Sequence, residues 1–125
     1  MLLGNEVTVT DAIIGCAIEV HKQLGPGLLE SVYESAMCIE LVAAGLGFAR
    51  QVGIPLYCKG TLISEHRPDL VVANCVVVEI KSVERIDPVH TAQLLTYLRI
   101  TGLKTGLLLN FNSALLRHGV RRVLL

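Results

Sequence analysis

Residues 67–82, RPDLVVANCVVVEIKS, place an aspartate just before one apolar run and a glutamate and a lysine two residues apart at the end of the next. Buried strands are bounded by turns, and a charge inside such a run needs a partner or a metal, because isolated burial costs several kcal/mol or more. Side chains alternate along a strand, so Glu79 and Lys81 share a face with Val77, while Val78 and Ile80 point the other way. Whether Asp69 joins them depends on the turn. A loop with an odd number of residues puts positions 69 and 79 on one face, and an even loop separates them. A three-residue loop, Val72-Ala73-Asn74 with Asn74 left-handed, is a common hairpin connection and gathers Asp69, Glu79 and Lys81 on adjacent strands.

Two carboxylates converging at a sheet surface repel each other unless a cation lies between them. Magnesium suits such a pair: it is held by one or two carboxylates and keeps several waters, which leaves room for a phosphate oxygen. A lysine beside it can align or deprotonate an attacking water and stabilise charge developing on phosphorus. The purely structural outcome of the same residues is an Asp69–Lys81 or Glu79–Lys81 ion pair.

The 125 residues read as one domain, residues 1–125, with an aliphatic core, since there are two Phe, three Tyr and no Trp. No apolar run is long enough to span a bilayer, and the N-terminus, MLLGNEVTVTD, lacks the features of a secretory or transit segment, so no membrane is expected and a cytoplasmic location is. Cys16, Cys38, Cys58 and Cys75 form no CxxC pair and read as small packing residues. The first fifty residues hold six acids against two bases, and the remainder nine bases against five acids. This balance excludes an avid nonspecific nucleic-acid coat and leaves a local basic footprint for phosphates.

Thr10 reads as the N-cap of a helix over 11–24, with Ile13, Ala17, Val20 and Leu24 at helical spacing, and GPG at 25–27 as a turn. Leu28, Val32, Ala36 and Ile39 mark the apolar stripe of a second helix ending near Gly45. Three strands follow, in QVGIPLYC, TLISEHRPDLVV and CVVVEIKSV, the first two joined at Lys59-Gly60. Asp87, Pro88 and Gly102 bound a third helix. TGLLLNF reads as a buried strand and GVRRVLL as a short terminal one, giving the order ααβββαββ in an α+β domain.

PD followed ten residues on by EIK resembles the PD-(D/E)XK nuclease signature, and QLLTY resembles the QxxxY element of exonuclease-type members of that superfamily. GLLESVY, residues 27–33, resembles the GxxExxY motif of a small prokaryotic family placed there, and the resemblance extends over nearly the whole chain. It implies a restriction-endonuclease-like core in αβββαβ order, with a mixed four-stranded sheet flanked by helices. It further implies Mg (or Mn) held by Asp69, Glu79, Glu30 and the backbone carbonyl of Ile80, with Lys81 and Gln93 completing the catalytic set. Tyr97, Tyr33 and His21 are implied as substrate-positioning residues, and Glu34 reads as a solvated neighbour. The expected function is metal-assisted hydrolysis of nucleic-acid phosphodiesters, DNA favoured over RNA. The alternative is a noncatalytic nucleic-acid-binding or regulatory protein that retains the fold. No zinc finger or aromatic-interleaved basic stripe occurs in these residues, so any cleavage is expected to follow structure or a partner rather than base sequence. The apolar VLL terminus predicts surface that a second copy would cover, and hence a homodimer.

Overall fold

Two helices lead the chain, α1 (Leu2–Leu24) and α2 (Glu30–Ala43). The computed structural model describes residues 2–125, with side chains from residue 5. Thr10 does not cap α1. The helix runs through it and buries it, because Thr10, Ile13, Ala17 and Val20 form one stripe at three- and four-residue spacing against the core. Leu24, expected on that stripe, is exposed.

α2 turns inward a different face from the one its aliphatic spacing suggests. Tyr33, Met37 and Leu41 are fully buried, whereas Leu28, Val32, Ile39 and Val42 are exposed. Both sides of the helix carry apolar residues, and the side with the larger groups wins. Tyr33 stacks on Phe111 with ring centroids 4.5 Å apart and planes 9° from parallel.

Five strands, not three, separate α2 from the next helix: β1 (Phe48–Arg50), β2 (Ile54–Cys58), β3 (Thr61–His66), β4 (Leu70–Val72) and β5 (Val76–Lys81). The single strand expected over residues 61–72 is two strands in different sheets, divided around Pro68, which has no N–H to give to a ladder. β1 has only three residues, too few for alternation to show. α3 (Pro88–Thr101), β6 (Thr105–Asn110), a 3₁₀ turn (Leu116–Gly119) and β7 (Val120–Leu124) complete the chain. His90 Nδ1 accepts the Asp87 N–H at 3.2 Å at the start of α3, and Gly102, with φ of 75°, ends it.

The main sheet has the order β1-β4-β5-β6-β7, with β5 and β6 parallel and the other pairs antiparallel. β2 and β3 form a separate hairpin turned at Lys59-Gly60. α2, β1, β4, β5, α3 and β6 thus run in αβββαβ order around four mixed strands, consistent with a restriction-endonuclease-like fold. The hairpin is an insertion, and β7 adds a fifth strand beyond the four expected.

Val76, Val78, Ile80, Leu107 and Leu109 pack beneath α1 and α2, while Val77, Leu108 and Val123 pack beneath α3. β5 and β6 are covered on both faces, which is why β6 is buried along its whole length. Of the terminal Val-Leu-Leu, Val123 is buried and Leu124 is exposed. All four cysteines are free, and Cys58 is exposed rather than a packing residue. Among the described residues no helix is long and apolar enough to cross a membrane.

α3 approaches β6 closely at Gly106, where an added Cβ would lie 2.8 Å from the Leu94 side chain. Leu94 is itself fully buried and has little room to give. Gly106→Ala should therefore destabilise the fold by about 1–3 kcal/mol through overpacking, measured by urea denaturation. An unchanged midpoint would mean that α3 does not sit this close to the sheet.

Candidate active site

The β4–β5 hairpin sets the site's geometry. Its loop is Ala73-Asn74-Cys75, one residue later than expected, with Ala73 and Asn74 left-handed at φ of 52° and 53°. Its length is still three residues, so the register Leu70↔Val78 continues to Asp69 opposite Glu79, on one face. The two residues are cross-linked by their own groups. The Asp69 N–H donates to Glu79 Oε1 at 3.0 Å, and the Ile80 N–H donates to Asp69 Oδ2 at 2.7 Å.

Pro68 bears instead on the Ile80 carbonyl. The Phe111 N–H donates to the Lys81 carbonyl at 2.9 Å, so odd positions of β5 turn their backbone polar groups toward β6 and even ones toward β4. Opposite Ile80 the register brings Pro68, which has no N–H. The Ile80 carbonyl therefore lies past the end of the β4 ladder without a ladder donor.

No internal cation neutralises the pair. The ion pairs among the described residues are Arg50–Glu34, Arg67–Glu65 and Arg122–Asp11, so neither Lys81 bridge is formed. Burial pushes Asp69 up to about 6, with the neighbouring Glu34 carboxyl adding to the effect. Burial and then the Asp69 charge push Glu79 up to about 7, while Lys81, on the same face, pulls it down. Tyr97 of α3 belongs to this group: burial, then Glu79 and Asp69, raise its hydroxyl. Its ring tilts against His66, 5.6 Å between centroids, which brings the end of β3 to the site as well.

Glu34, read from sequence as solvated, is buried and touches the pair. Arg50 Nε donates to its Oε2 at 2.6 Å, and Gln51 Nε2 donates to its Oε1 at 2.7 Å. Burial works against its charge, but the bonds from Arg50, Asp69 and Gln51 prevail and hold it below the usual carboxylate range. Its only sequence signal is that it lies one helical turn after Glu30.

The other expected residues divide between the site and the scaffold. Glu30 raises Glu79 electrostatically, but its Oε2 accepts the Ser82 N–H at 3.1 Å. Ser82 Oγ donates to the Leu28 carbonyl at 2.6 Å, so the start of α2 is fastened to the end of β5. Tyr33 has no surface to offer a substrate. Its hydroxyl donates to the Gly25 carbonyl at 2.5 Å and accepts the Leu28 N–H at 3.1 Å, which braces the turn before α2. His21 Nε2 bonds the Ser113 carbonyl at 2.8 Å, in the segment after β6. Gln93 is exposed on α3, one turn before Tyr97, and makes no hydrogen bond among the described residues.

A family model described as the PD-(D/E)XK nuclease superfamily matches residues 7–123. The chain belongs to this superfamily. Comparison with curated proteins and with solved structures gave no match. PD-(D/E)XK nucleases generally use divalent metals and act on nucleic acids. Among the described residues no three His, Cys, Asp or Glu side chains are grouped to hold a metal. What is present, two facing carboxylates and a carbonyl without a donor, is a set that suits magnesium with its retained waters.

The raised acids give a pH signature to the metal-free protein. Because Asp69 and Glu79 hold protons in the folded state up to about 6 and 7, the folded chain binds more protons than the unfolded chain above the ordinary carboxylate range. Stability should therefore fall as pH rises through that window. Thermal denaturation in chelator should show this decline in the wild type and a shallower one in Asp69→Asn. Parallel curves would mean that Asp69 is not strained by its surroundings.

Proposed function

We propose that the chain is a divalent-metal-dependent phosphodiesterase that hydrolyses nucleic acid, with DNA favoured over RNA. The observation that carries this reading is the facing pair Asp69 and Glu79, half-buried without a cationic partner and adjacent to the donorless carbonyl of Ile80. The residues that would hold Mg²⁺ or Mn²⁺ are Asp69, Glu79 and the Ile80 carbonyl, and such an ion supplies polarisation of the phosphoryl oxygen and a more acidic bound water. Lys81, sharing the face of Glu79, aligns the attacking water and offsets negative charge as it builds on the phosphate. Tyr97, from the opposing helix, limits water access and presents its hydroxyl toward the same acids. Gln93, one turn earlier and exposed, is placed to meet the nucleic-acid backbone. Glu30 acts at longer range through its field on Glu79. The Gly27–Tyr33 motif supports the finer placement in the GxxExxY family.

A noncatalytic binding role draws support from one feature: both Asp69 oxygens already accept N–H donors, from Gln51 and Ile80. Titration calorimetry with Mn²⁺, followed by cleavage assays on DNA and RNA, separates the two readings. Asp69→Ala should abolish Mn²⁺ binding, whereas Lys81→Ala should retain it and lose about 10²–10⁴-fold in cleavage rate. Unchanged Mn²⁺ affinity in Asp69→Ala refutes the two-carboxylate site. Metal binding with no cleavage of either nucleic acid establishes the noncatalytic role.

A further inference from the structure

Gln51 has a backbone that glutamine does not favour. Its φ is 54°, in the left-handed region, and it lies at the surface just after β1, so core packing does not force it there. A non-glycine residue in that region bears strain that its surroundings must offset, and such outliers gather at functional sites. Four bonds occupy the space around it. The Gln51 N–H donates to the Asp69 carbonyl at 3.1 Å, and Nε2 donates both to Asp69 Oδ1 at 3.2 Å and to Glu34 Oε1 at 2.7 Å. Behind Glu34, Arg50 Nε holds the other oxygen at 2.6 Å. With carboxylates on two sides, only the amide nitrogen can face them, so the network fixes the direction of the amide.

We infer that Gln51, backed by the Glu34–Arg50 ion pair, is the positioning residue for Asp69. It grips the aspartate by main chain and side chain together, and so fixes the rotation of the carboxylate relative to Glu79 and Ile80. This rests on the metal reading of the site, and it adds an outer set of contacts of the kind that orients metal-binding carboxylates. The left-handed backbone is what lets one residue reach both the carbonyl and the Oδ1 of Asp69. Glycine would adopt that backbone freely but would lose the amide.

Gln51→Gly therefore separates positioning from folding. It removes the side chain while relieving the backbone, so the melting temperature should stay within a few degrees of wild type. Two readouts follow Asp69 itself. The Ile80 N–H donates to Asp69 Oδ2 beyond the last β4–β5 ladder pair, so its hydrogen exchange should accelerate in metal-free Gln51→Gly while Val78 and Leu107 stay protected. Mn²⁺ affinity by calorimetry should weaken by about tenfold or more, the usual size of such an outer-contact loss. Unchanged Ile80 exchange with unchanged Mn²⁺ affinity overturns the proposal, as does a general loss of protection across β5 and β6, which would mark Gln51 as structural. Asp69→Ala is the control for the underlying site. If it too leaves Mn²⁺ affinity unchanged, the metal reading fails, and Ile80 exchange alone then decides whether Gln51 positions Asp69.

Discussion

The structure is organised around two carboxylates that face each other across β4 and β5 without a positive charge between them. Burial disfavours the charged form of each and pushes Asp69 up to about 6 and Glu79 up to about 7, with Glu34 adding to the first and the Asp69 charge to the second. Evolution could remove this cost with one arginine or by replacing either acid. Instead the neighbouring arginine, Arg50, pairs with Glu34.

Each local peculiarity nearby serves that arrangement. The three-residue loop sets the parity that brings positions 69 and 79 to one face. Pro68, with no N–H to give, leaves the Ile80 carbonyl without a ladder donor, while the Ile80 N–H is taken by Asp69 Oδ2. Ser82, Glu30 and Leu28 fasten the first turn of α2 to the end of β5, and Tyr33 braces the turn that precedes it. Asn110, buried at the end of β6, holds Val83 by donating to its carbonyl and accepting its N–H, which fixes the chain just beyond Lys81. The GLLESVY segment thus works largely as the joint between helix and sheet, and its acid reaches the site through electrostatics.

Much of this was legible in the sequence because it depends on short periods. A strand has a period of two, so Glu79 and Lys81 had to share a face, and any odd loop had to bring Asp69 to them. The bounds of α3 followed from Asp87, Pro88 and Gly102 for similarly local reasons. What could not be read depends on contacts distant in sequence. The buried side of α2 differs from its exposed apolar side only in the size of its groups, and its partner, Phe111, lies far along the chain. Glu34 looks like any surface acid until Arg50 and Gln51 are placed beside it. Residues 61–72 read as one strand from their two apolar runs, Leu62-Ile63 and Leu70–Val72, and the partner strands show that the chain changes sheets around Pro68.

The most direct test is a crystal of the wild-type protein grown with Mn²⁺, with diffraction collected at the manganese absorption edge. A single anomalous peak bounded by the Asp69 and Glu79 carboxylates and the Ile80 carbonyl is the expected result. Absence of a peak there at saturating Mn²⁺, or a Lys81 ammonium occupying the space between the two acids, would show that the pair is neutralised within the protein and is not a metal site.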